Sequence, residues 1–220
     1  MRKLIIFGRG LFAEIVHQYI TDDSLYDIVA YVLDDAFVGN ENTYLDRPLI
    51  KFSEVEALYP STEHDMFIAI SYTDMNKLRQ RIYMEAKAKG YKLISYVSPE
   101  ATIKTKLPIG DNCFIFEDNT IQPYVSIGNN VILWSGNHIG HHSVVKDHNF
   151  ISSHVVVSGQ CTIESNCFLG VNSTLAHGIK IAKETLIGAG CSITKDTEER
   201  AVYVPAKTVK LEKTSDQIKL

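Results

Sequence analysis

The sequence has little of what would indicate a disulfide scaffold, a membrane protein or a nucleic-acid-binding protein. Only four cysteines and one tryptophan occur in 220 residues, and the formal net charge is −4. So small a charge gives no electrostatic reason to expect binding to nucleic acid or to an anionic membrane surface. No apolar run approaches the length of a bilayer span, and Arg9 and Glu14 interrupt the apolar start of the chain, with no small-residue cleavage site after them. We therefore expect a cytoplasmic protein.

What the sequence does contain is an aliphatic residue at every sixth position through nearly half of its length. The series runs without a slip through Val97, Ile103, Ile109, Ile115, Ile121, Ile127, Leu133, Ile139, Val145, Ile151, Val157, Ile163, Leu169, Leu175, Ile181, Ile187 and Ile193. A short period kept over about a hundred residues predicts a solenoid, in which each repeat buries its apolar residue only against neighbouring repeats. If three hexads make one coil, residues three hexads apart lie one above the other at about 4.8 Å.

The cysteines follow the same period. Cys113, Cys161, Cys167 and Cys191 each lie four residues after a repeat aliphatic, at the second inward position of a hexad. Cys113 and Cys167 share a face, but three coils separate them by about 14 Å, which is too far for a disulfide. The pattern predicts four small core residues rather than disulfides or a zinc site.

The rhythm of the chain divides it into three parts. Residues 1–96 alternate between strands and helices, which predicts a Rossmann-like α/β domain with a parallel sheet. Strands are expected at 3–7, 27–33, 66–70 and 91–96, with helices after Gly10, from a capping Ser53 and over 74–89. Residues 97–195 are the predicted parallel β-helix, a triangular prism of short strands. Residues 196–220 form a charged and less regular tail.

Several short strings resemble one family. They are Gly8-Arg9-Gly10, Asp34-Asp35, Ile139-Gly140-His141, Phe168-Leu169-Gly170-Val171-Asn172-Ser173, Ile187-Gly188-Ala189-Gly190 and Pro205-Ala206-Lys207. In this order they resemble the bacterial nucleotide-amino-sugar N-acetyltransferases, which belong to the left-handed β-helix (hexapeptide repeat) acyltransferases and have sialic acid O-acetyltransferase-like relatives. The resemblance implies a left-handed helix, a homotrimer with active sites between neighbouring prisms, and no metal. It also implies acyl transfer from acetyl-CoA, or another acyl-CoA, to the amine of a nucleotide-linked deoxysugar used for O-antigen, lipopolysaccharide or other surface glycans.

Amide formation from a thioester needs a base, and histidine is suited to that role near neutral pH. His141 lies outside the core near a corner and occupies the place of the family's catalytic histidine, so we expect it to be the general base. The family usually has Asp or Glu next, whereas this chain has His142. Either an acid from a nearby corner (Asp147, Glu117 or Asp118) replaces the usual one, or His141 is a weaker base.

The resemblance also implies binding residues. Those for acyl-CoA are Gly159, whose N–H would hold the thioester carbonyl, with Ala189, Gly190, Lys195 and Lys207. Those for the sugar nucleotide are Gly8, Arg9, Gly10, Asp34 and Asp35, at the start of the first helix and after the second strand. Corner geometry explains the prism glycines equally well, and the first domain could serve only for packing.

Three other functions remain open at this stage. The nearest is O-acetylation of a sugar hydroxyl, which needs stronger base assistance than acylation of an amine. A zinc hydrolyase of the γ-carbonic anhydrase type would use His141 and His177, but the place of its third ligand holds Ala182. The prism could also be a non-enzymatic trimeric scaffold.

Overall fold

The first part of the protein is an α/β domain. The computed structural model describes residues 2–23, 26–212 and 214–218. The elements of this domain are β1 (Arg2–Phe7), α1 (Leu11–Asp22), β2 (Tyr26–Leu33), a 3-10 turn (Asp35–Phe37), β3 (Thr43–Tyr44), β4 (Arg47–Lys51), α2 (Val55–Leu58), β5 (His64–Ile68), α3 (Lys77–Ala88) and β6 (Lys92–Leu93). None of the helices in these ranges has the length and apolarity of a membrane span.

The six strands of this domain form one sheet in the order β3-β4-β2-β1-β5-β6, parallel except for the β3–β4 pair. This is the parallel arrangement predicted from the alternation of strands and helices. α3 begins at Lys77 rather than at Asp74 because Asp74, Met75 and Asn76 adopt positive φ. The predicted cap at Ser53 is wrong, since its N–H and hydroxyl donate to the Asp35 carboxylate instead.

The second part is a triangular prism with three parallel sheets as its faces. The seven-stranded face contains β7 (Tyr96–Val97), β9 (Phe114–Ile115), β12 (Ile132–Leu133), β15 (Phe150–Ile151), β18 (Phe168–Leu169), β21 (Leu186–Ile187) and β23 (Val202–Tyr203). The six-stranded face contains β8 (Thr102–Ile103), β10 (Thr120–Ile121), β13 (His138–Ile139), β16 (Val156–Val157), β19 (Thr174–Leu175) and β22 (Ser192–Ile193). The four-stranded face contains β11 (Ser126–Ile127), β14 (Val144–Val145), β17 (Thr162–Ile163) and β20 (Lys180–Ile181).

Each coil of the prism contains three hexads, as the period predicts. Ile139 pairs with Val157, and Val157 pairs with Leu175, so that identical hexad positions lie directly above one another. The repeat aliphatics fill the axis together with the four cysteines, all of which are free and buried. Burial raises the pKa of Cys113 and of Cys167 to about 12, so these thiols stay protonated at neutral pH. After the last hexad, β23 extends the seven-stranded face by pairing with β21.

The α/β domain packs on the seven-stranded face of its own prism. The outward positions of successive strands on this face are apolar or aromatic: Phe114, Ile132, Phe150 and Phe168. They share one core cluster with residues of β1, α1 and β5, including Phe12 and Phe67. The other two faces have polar residues at most of the corresponding outward positions. The aromatic column therefore determines which face the first domain covers.

A buried arginine lies in the seam between the two domains. Arg79 is on the buried side of α3 and has no exposed surface. Its guanidinium donates to oxygens from both domains, namely those of Ile70, Ser71, Asn76, Asn130, His148 and Asn149. Burial lowers the pKa of Arg79 to about 9, so the group is still cationic at neutral pH. Carbonyl and amide dipoles solvate this charge, with no carboxylate among the acceptors.

We predict that Arg79→Met lowers the free energy of unfolding by about 3 kcal/mol or more, because several buried oxygens lose a charged donor together. Guanidinium chloride unfolding measures the change. Arg81→Met, on the exposed side of the same helix, is the matched control and should cost about 1 kcal/mol or less. Equal losses in the two variants would contradict a role for Arg79 in joining the domains.

Candidate active site

One corner of the prism brings together both predicted catalytic histidines, His141 and His142, with two of the predicted acyl-CoA residues. This corner, called the His141 corner below, joins the six-stranded face to the four-stranded face. The strand register places His141, Gly159, His177 and Lys195 in one row along it, each one coil above the last. His141, His177 and Lys195 are exposed, whereas Gly159 is buried beneath the ring of His141.

The two neighbouring histidines form a hydrogen-bonded pair. The Nδ1 atoms of His141 and His142 are 3.1 Å apart, so one ring donates a proton and the other accepts it. His142 has a φ of 58°, and its ring stacks on Tyr124 with centroids 4.6 Å apart. The His141 backbone N–H donates to Gln122 Oε1 at 2.8 Å. When His141 Nδ1 is the donor, its Nε2 carries the free lone pair that a general base requires.

The ring of His141 lies over Gly159. A Cβ built at position 159 would lie 2.6 Å from His141 Nε2 and 2.7 Å from Cε1. These separations are shorter than real contacts, so a side chain at position 159 would displace the His141 ring. The Gly159 N–H has no hydrogen-bond acceptor among the described residues. An exposed base nitrogen and a free N–H donor are therefore neighbours in space.

None of the three acids proposed to replace the family's usual carboxylate lies at the His141 corner. Asp147 Oδ1 accepts from the Asn129 N–H at 2.7 Å, at the corner between the four- and seven-stranded faces. Glu117 Oε2 accepts from the Tyr19 hydroxyl at 2.7 Å, between the seven- and six-stranded faces, and Asp118 follows it there. The side chain that is hydrogen-bonded to the His141 ring is His142.

The predicted acyl-CoA residues are divided between two corners of one chain. Gly159 and Lys195 lie at the His141 corner, whereas Ala189 and Gly190 lie at the corner between the seven- and six-stranded faces. Gly190 borders a cleft of about 350 Å³ formed with β23 and the residues that follow it. Lys207 is exposed just beyond this cleft. A single chain therefore does not bring these five residues together.

Four of the five predicted nucleotide-binding residues line one cleft. Gly8, Arg9, Gly10 and Asp34 border a cleft of about 410 Å³ at the N-terminus of α1. Gly8 has a φ of 133°, and a Cβ there would lie 2.6 Å from the Ala69 carbonyl oxygen, so only glycine fits. The free N–H groups and the dipole of α1 favour an anion in this cleft.

The side chains at this cleft differ in their availability. Asp34 pairs with Arg81 of α3 at 2.5 Å, and Arg9 pairs with Glu41. Asp35 lies outside the residues that line the cleft. Its carboxylate accepts the hydroxyl and N–H of Ser53, and these bonds lower the pKa of Asp35. Gly8, Arg9, Gly10 and Asp34 are thus the predicted residues that the structure places in the cleft, and Asp35 stabilises the loop beside it.

The histidine spacing that suggests a zinc site is present, but the third ligand is not. The rings of His141 and His177 are 6.1 Å apart between centroids. Within the described part of the chain, no group of three or more His, Cys, Asp or Glu side chains is arranged to hold a metal ion.

Two residues of the site were not predicted from the sequence. Gln122 and Tyr124 hold the backbone of His141 and the ring of His142. The coil of three hexads could have identified Tyr124 as a neighbour of His142, because it places Tyr124 directly below His142.

Comparisons with known proteins agree with this architecture. Residues 3–86 match the family model of the PglD N-terminal domain, and residues 160–195 match the hexapeptide repeat of succinyl-transferase. The first part of the chain thus resembles the PglD N-terminal domain, and the later coils of the prism resemble hexapeptide repeats. The resemblance inferred from the short strings is confirmed, as is the predicted fold class of an α/β domain followed by a left-handed parallel β-helix.

Solved structures share this fold over nearly their whole length. A perosamine N-acetyltransferase from Caulobacter crescentus, in complex with CoA and GDP-perosamine, has a TM-score of 0.81 at 22% identity, covering 93% of this chain and 95% of that one. The acetyltransferase domain of PglB from Neisseria gonorrhoeae has a TM-score of 0.80 at 20% identity, with coverages of 92% and 96%. WeeI from Acinetobacter baumannii has a TM-score of 0.76 at 16% identity, with coverages of 92% and 94%.

We predict that the cost of Gly159→Ala depends on His141. In the native background, the new Cβ displaces the imidazole and breaks its bond to His142. In the His141→Ala background, the same change meets no atom of that ring and should cost little. A double-mutant cycle of unfolding free energies should give a coupling of about 1 kcal/mol. Loss of the His141–His142 hydrogen bond can be followed separately by imidazole NMR. Additive costs would contradict the contact.

Proposed function

We propose that this chain is an N-acetyltransferase that moves an acetyl group from acetyl-CoA to the amine of a nucleotide-linked amino-deoxysugar. The observation that carries the proposal is the exposed His141, held by His142 with its Nε2 beside the free N–H of Gly159. The glycine-rich cleft at α1 supports a nucleotide substrate. The ligands of the Caulobacter crescentus enzyme, CoA and GDP-perosamine, belong to the same two substrate classes.

The residues of the His141 corner divide the chemistry among them. His141 Nε2 removes a proton from the amine as the nitrogen attacks the thioester carbon. The Nδ1–H of His141 stays hydrogen-bonded to the neutral His142, which fixes the tautomer and the plane of the ring. The Gly159 N–H donates to the carbonyl oxygen and stabilises its charge in the tetrahedral intermediate. Collapse of that intermediate breaks the carbon–sulfur bond and leaves the amide.

The partner of His141 supports an amine acceptor rather than a sugar hydroxyl. A carboxylate beside the ring would neutralise the imidazolium that forms during proton removal, and His142 does not. An amine needs less base assistance than an alcohol, because a neutral amine is itself nucleophilic, whereas an alkoxide is far harder to generate. The His141–His142 pair is sufficient for the easier of the two reactions.

We further propose that each active site is completed by two copies of the chain in a homotrimer. The α/β domain covers the seven-stranded face, and the His141 corner is the corner opposite that face. The prism therefore separates the nucleotide cleft from His141 of the same chain. Side-by-side packing of prisms brings the cleft of one copy towards the His141 corner of the next, and it also joins the two corners that carry the acyl-CoA residues.

We predict that His141→Ala lowers turnover by about two to four orders of magnitude, as expected when a general base is lost. The assay incubates acetyl-CoA with a panel of nucleotide-linked amino sugars and detects the acetylated product by mass. Lys183→Ala, an exposed residue at the same hexad position of another corner, should retain native turnover. Near-native activity of the His141 variant would transfer the base role to His142 or to the substrate.

We predict that mixed trimers regain the activity that two defective chains lack separately. Thr73→Trp places a bulky ring in the nucleotide cleft, at an exposed residue that lines it. Trimers of this variant alone, or of His141→Ala alone, should be nearly inactive. Random co-assembly should restore about a quarter of the native rate, because one copy then supplies the cleft and its neighbour supplies His141.

Light scattering checks that the mixed preparation is trimeric. No recovery of activity on mixing would show that the cleft and His141 act within the same chain. It would leave the chemistry at His141 in place and would reject the shared site.

A further inference from the structure

His177 is closer to His141 than their places in the prism require. The two residues are two coils apart, which corresponds to about 9.6 Å along the axis. Their ring centroids are nevertheless 6.1 Å apart, with the planes tilted by 50°. The His141 ring accounts for this approach, because it lies over Gly159 in the coil between them.

The space between the two rings has no side chain of its own. Gly159 contributes only backbone there, and its N–H is free among the described residues. The residue after His177 is Gly178, where an added Cβ would meet no atom within 4 Å. The ring nitrogens of His177 have no hydrogen-bond partner within the described ranges, and the side chain is exposed. The corner thus presents two exposed imidazoles in one row, with the Gly159 N–H on the coil between them.

We propose that His177 is a second imidazole of the transfer site, which faces the sulfur of acyl-CoA and protonates the leaving thiolate. This inference rests on the proposed function, because it takes the thioester carbonyl to lie at the Gly159 N–H. With His141 on the amine side of that carbonyl, the end of the row beyond Gly159 is the side from which sulfur departs. His177 is the side chain in the row at that end.

The step balances in atoms and charge. The carbon–nitrogen bond forms while His141 takes a proton from the amine. The carbon–sulfur bond then breaks, its electron pair goes to sulfur, and the imidazolium of His177 gives the sulfur a proton. Both rings are exposed, so His141 returns its proton to His177 through solvent, and one amine and one acyl-CoA yield one amide and one free thiol.

The first test compares the binding of CoA with that of desulfo-CoA, which lacks only the sulfur. Isothermal titration calorimetry on the full-length protein should show that CoA binds about tenfold more tightly, since a charged donor meets the sulfur. His177→Gln should bring the ratio of the two affinities close to one. Lys183→Gln, the matched control, should keep the native ratio. Circular dichroism confirms that each variant is folded.

The second test measures turnover. His177→Gln should lower kcat with acetyl-CoA about tenfold and leave KM for the amino sugar unchanged. The proposal would be overturned if His177→Gln kept the native preference for CoA over desulfo-CoA. It would also be overturned if the native protein bound the two ligands equally, even with acetyl transfer intact. Conversely, the protein could prefer CoA over desulfo-CoA through His177 and yet acetylate no amino sugar. That result would uphold the contact between His177 and sulfur and reject the proposed function.

Discussion

The stacking of identical hexad positions in successive coils of the prism is the constraint on which the rest of the structure depends. Each inward aliphatic, such as Val157, is covered from below and above by the same hexad position of the neighbouring coils, here Ile139 and Leu175. A single inserted residue would turn one whole column of side chains from the axis towards solvent. This requirement also fixes the outside of the prism. It places Gly159 one coil above His141 along the prism, and it leaves the His141 corner with no inserted loop to close it.

The seam between the domains has a second constraint with a functional consequence. Arg79 holds α3 against the prism through oxygens of both domains, and its charge depends on that contact for solvation. Nearby, burial lowers the pKa of His148 to about 4, so this ring is neutral at physiological pH. A seam so dependent on buried polar contacts resists sliding or hinging. The nucleotide cleft is thereby held on the side of the prism away from its own His141, and this separation is the premise of the proposed site shared between copies.

Much of this architecture could be predicted because the period is a property of the sequence alone. It gave the three-hexad coil, the core cysteines and the row through His141, Gly159 and His177. Other features depend on contacts between distant segments, which no periodicity reports. The sequence predicts Asp35 as a ligand-binding acid, but the chain returns so that the Ser53 hydroxyl donates to its carboxylate. The aromatic column from Phe114 to Phe168 did carry a readable signal, since apolar residues at outward positions must be covered by another domain.

The His141–His142 pair shows how the same framework limits the chemistry at its corner. His142 occupies the fourth place of its hexad, where the turn imposes a positive φ and directs the side chain along the corner. At that position the His142 ring can accept a hydrogen bond from the Nδ1–H of His141, but it cannot supply the negative charge of an aspartate or glutamate. Protonating His142 as well would place two cations 3.1 Å apart and break the bond that orients the base. The pair therefore works only while one ring is neutral, which restricts it to nucleophiles that need the removal of a single, weakly held proton. The amine of the proposed reaction meets this condition once it attacks the thioester. In the same row, His177 is the side chain proposed to protonate the departing sulfur.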